Sequence, residues 1–502
     1  MPNVAAIDAG SNALRLTVAS VNRAGAVKVI DYLREPIRLG GDVFSTGVIS
    51  PETTARAEEA FKNFRAVIAM HRAVRVRAVG TSALREAHNR VEFIAKVALA
   101  SGIDIDPIGG EEEARLLCRA VVSALDMKGR SAIHIDIGGG SAELTLIEGG
   151  QVSTSSSFKM GGVRLLQLFG QRGASAAEFV RTIRDYLGPT SRFIQSSIGG
   201  SAAGLCVGTG GNIETLGELR RTLLHKRSTG FMTMQELGRI VSIVRPMSVE
   251  DRVLKLGLRP DRADVVLPAS IVLEYLLEQS GLGRLEIPHV GLKDGILSEL
   301  AGELGGGDDA GRGSQVLQSA RVIGRKFSFD ERHASAVAGY AGQIFDSTRS
   351  LHLLGREDRL LLIAAAWLHD VGQFLGLGDH HKHSLYIINA IPIVGLDDGR
   401  RRVVANVARY HHKSVPRLKH EQFAALPQDD RMRVRKLSAM LRMADAMDFE
   451  HAGKPAAVTL SVKGGALRVA FPAGSRAELA RWAVAKRAVI FEEVFGVKVQ
   501  VS

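Results

Sequence analysis

The sequence predicts an α/β protein built from two similar lobes that face each other across a cleft, followed by an all-α domain and a small α+β C-terminal appendage. Two copies of one glycine-rich strand–turn–strand pattern, at 7–18 and 135–146, indicate the two lobes. The length of 502 residues exceeds what one hydrophobic core supports. After about residue 315, glycines become fewer and apolar residues recur at helical spacing. We place the regions at 1–125, 126–304, 315–455 and 456–502.

The clearer of the two glycine-rich patterns spans residues 131–147. Isoleucines alternate up to Asp136, the segment Gly138-Gly139-Gly140-Ser141 follows, and a second alternating run begins at once. This order predicts a strand, a tight turn and a second strand. Three glycines allow backbone N–H groups to face an anion, and Asp136 and Glu143 flank that position with oxygen ligands for a divalent cation. The alternative interpretation is an ordinary tight turn.

The N-terminal copy of the pattern supports the interpretation that the glycine-rich turn binds phosphate. Residues 7–18 align without a gap on 135–146, with Ile, Asp, Gly, Leu and Thr at matching positions. The aligned turn contains Gly10, Ser11 and Asn12. The copies are separated by roughly the length of one domain, which favours two lobes whose turns face each other across a cleft.

The elements between the two copies continue an α/β order. Ser50-Pro51 opens a helix, with serine as the N-cap and proline at the first position. An alternating strand at 74–79 is followed by Gly80-Thr81-Ser82, where a strand end meets the start of a helix and offers an anion site. Arg85 is the basic side chain best placed to reach a cleft there, and its alternative is a surface arginine.

Three consecutive glutamates, Glu111, Glu112 and Glu113, open a helix after a strand at 103–108. Acidic residues in a first helical turn favour the helix dipole, so a structural role is one interpretation. Successive helical residues point in different directions, so at most two of the three face the cleft. One of them is a candidate general base.

The second lobe has its own turn-to-helix junctions. One lies at 160–164, and an apolar strand at 205–207 ends in the glycine-rich loop Gly208-Thr209-Gly210-Gly211. That loop is a further place where backbone amides can hold phosphate. Residues 262–277 are predicted to form a helix, and the glycine- and aspartate-rich stretch 301–314 is predicted to be a linker.

Histidines concentrate in the helical region. His333, the pair His369-Asp370, a group of histidines at 380–383 and 411–412, and Asp445 fall on separate predicted helices. Histidine and aspartate from different helices are typical ligands of a metal site. The alternative is a cluster of structural histidines. Beyond it, strands near 458–462 and 467–471 and a helix complete the C-terminal appendage.

The composition narrows the classes of partner. Lys and Arg number 65 against 53 Asp and Glu, a net charge of +12 that favours polyanions, although a merely basic surface is the alternative. Aromatic residues make up only 5%, which argues against a stacking platform for single-stranded nucleic acid.

Cys118 and Cys206 stand in apolar contexts and suggest buried thiols in a reducing compartment. We see neither a signal peptide nor a membrane-spanning run and expect a cytoplasmic protein without a membrane partner.

Five motifs in order give the chain a family resemblance. They are IDAGSN at 7–12, TSALREA at 81–87, GEEEARL at 110–116, DIGGGSAE at 136–143 and GTGG at 208–211. With them the chain resembles the exopolyphosphatase / guanosine pentaphosphate phosphohydrolase (Ppx/GppA) family of the actin-like ATPase superfamily. The resemblance covers essentially the whole chain. It implies two actin-like (ribonuclease H-like) lobes and a helical module similar to HD-type phosphohydrolases.

The resemblance also implies roles for individual residues. Glu113, directly before Ala-Arg-Leu, matches the catalytic glutamate that polarises water, and Arg85 matches a phosphate-binding arginine. Asp136 and Glu143 match carboxylates linked to Mg²⁺ or Mn²⁺, which Asp8 assists. The phosphate cradle is matched by Gly10, Ser11, Asn12, Gly138, Gly139, Gly140, Ser141, Gly208, Thr209, Gly210 and Gly211.

The helical module carries its own implied set. The HD pattern matches His333, His369, Asp370 and Asp445, with His383 and His411 as extra ligands. This set implies a second divalent metal, or a second hydrolytic activity on a nucleotide, and its alternative is again a structural cluster.

The implied function is processive, Mg²⁺-dependent release of orthophosphate from the ends of inorganic polyphosphate by a homodimer. The alternative is hydrolysis of the 5′-terminal phosphate of guanosine pentaphosphate (pppGpp), a nucleotide related to ppGpp. A phosphate- or alarmone-sensing binding protein with little turnover is a third interpretation, and the intact Glu113 motif argues against it. A sugar-type kinase fits the superfamily but lacks a sugar-binding signature here.

Overall fold

The computed structural model describes residues 1–502 except 23–24, 128, 171–174, 199–202, 305–307, 452–457, 464 and 473–476. The chain forms two compact units, Met1–Ala310 and Gly311–Ser502. None of the helices in the described ranges is both long and apolar enough to cross a lipid bilayer.

The first sheet of the N-terminal unit has the strand order β3-β2-β1-β4-β5. Its strands are β1 Asn3–Ala9, β2 Leu14–Val21, β3 Val27–Glu35, β4 Ala73–Gly80 and β5 Ile105–Pro107. The accompanying helices are α1 Leu39–Thr46, α2 Pro51–Met70, α3 Ser82–Glu86, α4 Arg90–Ser101 and α5 Gly110–Ala124. The predicted helix start is confirmed, since the Ser50 hydroxyl accepts the N–H of Thr53 and Pro51 is the first residue of α2.

The sequence Leu-Gly-Gly-Asp at 39–42 predicts a turn, whereas in the structure these residues begin helix α1. Leu39 and Val43 of α1 are buried in the core of this sheet, so tertiary packing outweighs the low helix propensity of Gly40 and Gly41.

The second sheet has the strand order β10-β11-β9-β6-β7-β8. Its strands are β6 Ser131–Ile137, β7 Ala142–Glu148, β8 Gln151–Phe158, β9 Leu205–Thr209, β10 Phe231–Thr233 and β11 Arg284–Glu286. The helices are α6 Gly162–Phe169, α7 Ala176–Leu187, α8 Ser191–Ile198, α9 Gly211–Leu223, α10 Met234–Val244, α11 Val249–Leu256, α12 Pro260–Ala263, α13 Val266–Ser280 and α14 Leu292–Leu304, with a 3₁₀ turn at Gly188–Thr190.

The two sheets repeat one topology. In each, an antiparallel meander (β3-β2-β1 or β8-β7-β6) continues into parallel strands (β4-β5 or β9-β11). The register repeats as well, because Ile7 pairs with Leu16 and Ile135 pairs with Leu144. The internal duplication read from the sequence is therefore confirmed as two sheets that share the order of five strands, and the second sheet adds the antiparallel strand β10 at its edge.

Helix α14 packs on the first sheet although it follows the second sheet in the chain. Its Ile296 and Leu300 share a buried cluster with Val4 of β1 and Leu116 of α5. This packing ties the two sheets into one unit and fixes the position of α5, which carries Glu113.

The C-terminal unit is mainly helical. Its helices are α15 Asp308–Lys326, α16 Glu331–Ser347, α17 Arg349–His352, α18 Arg356–Leu368, α19 His380–Ala390, α20 Asp398–Arg409, α21 Glu421–Ala424, α22 Gln428–Met447 and α23 Glu478–Phe495, with a 3₁₀ turn at Val371–Phe374. A small sheet of order β12-β13-β14 comprises β12 Thr459–Lys463, β13 Ala466–Ala470 and β14 Lys498–Val501.

The structure differs from two sequence-based expectations in this region. The predicted linker at 301–314 is largely helix, because α14 runs to Leu304 and α15 begins at Asp308, while 305–307 lie outside the described residues. The strands and helix predicted for 456–502 are present, but Leu467 and Phe491 belong to the same hydrophobic core as the helices. The appendage thus completes the core of the helical unit.

Candidate active site

The two glycine hairpins meet at the floor of a cleft of about 250 Å³ between the two sheets. Each turn is closed in the same way, by Gly10 N–H to Ala13 O at 3.2 Å and by Gly138 N–H to Ser141 O at 3.0 Å. A Cβ on Gly139 would lie 2.9 Å from the Cβ of Ser11, so only glycine permits this approach of one hairpin to the other. The cleft is therefore walled by backbone from both copies of the repeat.

Buried carboxyl groups surround this floor. Asp136 and Glu143 are paired residues on β6 and β7, Glu113 opens α5, and Asp8 lies at the end of β1. All four residues are less than a tenth exposed. Asp8, Glu113 and Asp136 line the cleft, whereas Glu143 is not among its described lining residues. Carboxyl groups are therefore concentrated at a place with little exposure to water.

The carboxyl groups perturb one another. Burial raises the pKa of Asp136 to about 7, and the neighbouring charges of Glu143 and Asp8 add to the effect. Burial, then the charge of Glu143, raises the pKa of Glu113 well above its usual value. Burial also raises the pKa of Glu143, against hydrogen bonds from Ser141 and Ser157. Perturbed carboxyl groups in a cleft are typical of functional sites.

A hydrogen-bonded chain orients Asp136. The Thr209 hydroxyl donates to Asp136 Oδ1, and His134 Nε2 lies 2.8 Å from the same hydroxyl. Burial lowers the pKa of His134 to about 4, so the imidazole is neutral at pH 7 and donates to Thr209.

The carboxylate set fits a hard divalent cation. Glu113 Oε2 and Glu143 Oε2 are buried and have no hydrogen-bond partner among the described residues. Gly210 has φ +93°, and a Cβ there would lie 3.0 Å from Asp136 Oδ1, so only glycine avoids crowding that carboxylate. Oxygen-only donors are what Mg²⁺ and Mn²⁺ prefer.

Arg85 lies beside Glu113. Its guanidinium donates to Ile108 O at 2.9 Å, and its Nη1 lies 3.7 Å from Glu113 Oε2. The described residues that line the cleft do not include Arg85. Its contact is with the candidate base, and the expectation that it binds phosphate stays a prediction.

The predicted phosphate cradle divides in two. Gly10, Ser11, Asn12, Gly138, Gly139, Ser141, Gly210 and Gly211 line the cleft. Gly140, Gly208 and Thr209 are not among the described lining residues. A Cβ on Gly140 would collide with Phe44 and Ser82. The Thr209 hydroxyl donates a hydrogen bond to Asp136 and is therefore not directed at a phosphate.

The cleft also holds basic residues that the sequence analysis missed. Arg15, Arg34, Arg262 and Lys293 line it, and Arg15 Nη1 lies 2.7 Å from Asp8 Oδ2. Arg15 was recognisable, because it occupies the position in the first hairpin that Glu143 occupies in the second. The other three come from distant parts of the chain and carry no comparable signal.

A second cluster of ionisable side chains lies in the helical unit. His333 of α16, His369 and Asp370 after α18, His411 after α20 and Asp445 of α22 come together as expected. His380, at the start of α19, faces Asp370 at 3.3 Å, whereas the predicted His383 lies outside the cluster formed by the described residues. One helical turn separates the two positions, and only the packing of α19 selects between them.

Known proteins similar to this chain agree with both units. The family model of the Ppx/GppA phosphatases matches residues 17–304, and the model of Ppx/GppA phosphatase domain III matches residues 317–480. A guanosine-5′-triphosphate,3′-diphosphate pyrophosphatase of Photobacterium profundum is 26% identical over 447 residues, covering 88% of this chain and 85% of that protein. Exopolyphosphatase 2 of Mycobacterium tuberculosis is 32% identical over 327 residues, covering 60% of this chain and 99% of that protein.

Solved structures show the same fold. An exopolyphosphatase from Cytophaga hutchinsonii superposes with a TM-score of 0.55 at 23% identity, over 60% of this chain and 98% of that one. A Ppx/GppA family member from Aquifex aeolicus superposes with a TM-score of 0.52 at 26% identity, over 60% of this chain and 97% of that one.

Proposed function

Because the chain belongs to the Ppx/GppA phosphatase family, we propose that it is a hydrolase of phosphoanhydride bonds that releases orthophosphate from the ends of inorganic polyphosphate. The observation that carries the proposal is the buried Glu113 carboxyl at a cleft whose floor is formed by two glycine hairpins. Water adds to the terminal phosphorus, the P–O bond to the bridging oxygen breaks, and orthophosphate leaves a chain one unit shorter.

Positioning and charge neutralisation account for most catalysis of phosphoryl transfer. The hairpins at Gly10 and Gly138 present backbone amides to the phosphoryl oxygens. Glu113 orients the attacking water and accepts its proton. Arg85 favours the ionised form of Glu113, since its charge counteracts the rise in pKa that burial causes.

Asp136 and Glu143 would hold Mg²⁺ or Mn²⁺, which supplies charge neutralisation at the terminal phosphoryl group. Asp8 is paired with Arg15 and acts as an outer acceptor. The basic side chains of Arg34, Arg262 and Lys293 offer ion pairs to the next phosphates of a polymer.

A second candidate substrate is pppGpp. The relative named for that nucleotide aligns with 88% of the chain, whereas the exopolyphosphatase relative aligns with 60%. The same cleft chemistry removes a terminal phosphate from either substrate. The choice between them therefore depends on what holds the remainder of the substrate.

We also propose that the helical unit is HD-like and binds a second divalent metal, on the support of its histidine–aspartate cluster. A homodimer in the cytoplasm remains our expectation. Two free, buried cysteines are consistent with a reducing compartment.

The test is release of phosphate from long-chain polyphosphate and from pppGpp in parallel, with Mg²⁺, for the parent, Glu113→Gln and the control Glu111→Gln. Glu111 lies in the same helical turn, outside the described lining of the cleft. We expect Glu113→Gln to lower kcat by about 10²- to 10⁴-fold, the range for loss of a general base, and Glu111→Gln to retain activity. Undiminished release by Glu113→Gln would place the chemistry elsewhere, and a preference for pppGpp would favour the second candidate.

A further inference from the structure

Extending the metal site proposed above for the helical unit, we propose that this unit holds a second, independent hydrolytic centre in which Asp370 bridges two divalent transition-metal ions and which cleaves phosphate esters. This centre does not depend on the cleft between the two sheets. Its support comes from the positions of six side chains and from the hydrogen bonds that hold them.

The first ion position is defined by four side chains from two helices, α16 and α22, and from the C-terminal end of a third, α18. His333 Nε2 and His369 Nε2 lie 3.3 Å apart. Asp445 Oδ1 lies 3.5 Å and 3.6 Å from these two nitrogens. Asp370 Oδ2 completes the group, at 3.6 Å from His369 Nε2 and 4.0 Å from His333 Nε2.

The second ion position uses the other oxygen of the same carboxylate. Asp370 Oδ1 lies 3.3 Å from His380 Nε2 and 3.4 Å from His411 Nε2, and these two nitrogens are 3.2 Å apart. One carboxylate therefore faces a pair of imidazoles with each of its oxygens. A bridging carboxylate is what places two ions at the separation of about 3.5–4 Å that two-metal hydrolases use.

The hydrogen bonds on the far side of each ring fix which nitrogen is free. His369 Nδ1 lies 2.7 Å from Ala366 O and His411 Nδ1 lies 2.6 Å from Ala408 O, and a carbonyl oxygen only accepts. Those Nδ1 atoms must carry a proton, so each ring turns its Nε2 atom inward.

The remaining two rings are held in the same way. His380 Nδ1 faces Leu377 O at 3.1 Å, and His333 Nδ1 faces Asp448 Oδ2 at 2.8 Å. The Nε2 atoms of His333 and His369, and those of His380 and His411, lie 3.2–3.3 Å apart, so each pair needs a proton or a metal cation between its nitrogens. This outer layer of carbonyl and carboxylate acceptors is the arrangement that orients histidine ligands around metals.

The donor set selects the kind of metal. Four imidazole nitrogens with two aspartates suit Mn²⁺, Fe²⁺, Co²⁺ or Zn²⁺, whereas the carboxylate-only set in the cleft suits Mg²⁺. The two centres can therefore be distinguished by which metal resists exchange against excess Mg²⁺.

The cluster opens toward solvent on one side. His369 and His411 are fully buried, whereas the Asp370, His380 and Asp445 side chains keep 14–18% of their surface exposed. Arg487 is also partly exposed, with Nη2 3.9 Å from Asp445 Oδ2 and 21% of its side chain exposed. A cationic side chain beside two metal positions favours an anionic substrate, and a phosphate ester combines that charge with a bond two-metal sites cleave.

The proposed reaction balances without a further reactant. Water adds to phosphorus, and the bond between phosphorus and the ester oxygen breaks. The ester oxygen leaves with its carbon and takes the proton that the water releases. The products are phosphate, or a phosphate monoester from a diester, and an alcohol.

Metal content is the first test. Protein in the Glu113→Gln background is loaded with Mn²⁺, dialysed against excess Mg²⁺ and analysed by inductively coupled plasma mass spectrometry. We expect two Mn²⁺ per chain, loss of both in Asp370→Ala and loss of one in His380→Gln, whose side chain is partly exposed and whose replacement disturbs folding less. The control His383→Asn, on the same helix as His380 but outside the cluster, retains both ions. Equal Mn²⁺ in the parent and Asp370→Ala, or none in the parent, overturns the site.

Ester hydrolysis is the second test, with p-nitrophenyl phosphate and bis(p-nitrophenyl) phosphate as probes. We expect the Mn²⁺-loaded Glu113→Gln protein and its His383→Asn derivative to cleave at least one of them, and Asp370→Ala to lose at least 100-fold of that rate. Cleavage of neither probe by protein that holds both ions overturns the hydrolytic role. Because the cleft is disabled in every sample, these outcomes are independent of the polyphosphate experiment.

Discussion

Asp136 and Glu143 lie directly opposite each other on β6 and β7, and both carboxyl groups are buried. The equivalent pair in the first hairpin is Asp8 opposite Arg15, which neutralise each other at 2.7 Å. One side-chain difference between the two copies thus leaves only the second hairpin with two acidic groups face to face. That hairpin is the one expected to need a cation.

The first prediction concerns metal affinity. Glu143→Gln removes one negative oxygen ligand while keeping the size of the side chain. We expect the dissociation constant for Mn²⁺ at the cleft to rise at least tenfold, about 1.4 kcal/mol in binding free energy. Titration followed by electron paramagnetic resonance measures it, in an Asp370→Ala background that removes the second cluster. Glu148→Gln, at the exposed end of the same strand, serves as the control, and an equal loss in both variants would contradict the assignment.

The second prediction concerns the pH dependence of kcat. The Arg85 charge lowers the pKa of Glu113, which burial raises, and the base works only when ionised. Arg85→Gln therefore raises this pKa further and moves the acidic limb of the kcat profile toward higher pH. Arg85→Lys, which keeps the charge, moves it less. Arg75→Gln, on the exposed part of β4, leaves it in place, and an unmoved limb in Arg85→Gln would show that Arg85 does not act on the base.

The third prediction concerns the link between helices α5 and α14. Arg115 is almost fully buried and contacts Glu112 at 2.7 Å and Glu299 at 2.5 Å. Arg115→Met removes one of two cations that these carboxylates share, because Arg77 also contacts Glu112 at 2.9 Å and Glu299 at 2.8 Å. We therefore expect a loss in the free energy of unfolding above about 1 kcal/mol but below the ~3–5 kcal/mol that an unpaired buried charge costs. Urea denaturation of Arg221→Met, which breaks the exposed pair with Glu218, is the control and should lose less than about 1 kcal/mol. Similar losses in both variants would contradict the structural role.

The fourth prediction concerns the thiols. Burial raises the pKa of both Cys118 and Cys206 to about 12, so at pH 8 almost no reactive thiolate is present. We expect no reaction with a disulfide reagent in the folded protein and two groups per chain in guanidinium chloride. Rapid labelling of either thiol in the native state would mean that its helix or strand opens to solvent.

Local signals in the sequence predicted much of the fold. The duplicated glycine hairpins predicted two sheets of the same order, and the Ser50-Pro51 cap located the start of α2. These predictions depend on interactions between residues close together in the chain, such as strand alternation and capping. Helix α1 and the helices that replace the predicted linker were missed, because apolar packing from distant residues overrides weak local propensity there.

The residues of the candidate site likewise fall into those that sequence motifs predicted and those that only the tertiary structure revealed. Glu113, Asp136 and Glu143 could be named from motifs, since the turn and strand that hold them are continuous in the chain. Arg262 of α12 is 50 residues away from Asn212 in the chain, and the fold of the second lobe brings the two together. The Oδ1 atom of Asn212 accepts an N–H of Arg262 at 2.9 Å, which holds the arginine at the cleft. His380 joins the histidine–aspartate cluster, and His383 does not, for a similar reason, because the contact between α19 and Asp370 fixes which helical face points inward.

The sequence by itself determined the repeated hairpins, the acidic residues they carry and the pool of histidines available in the helical region. Only the tertiary structure decided that Arg15 neutralises Asp8, that Arg85 lies against Glu113, and that Asp370 offers one oxygen to each of two imidazole pairs. The physical reason is that backbone conformation follows from neighbouring residues, whereas the pairing of charges and ligands depends on distances between segments that only the packed core brings together.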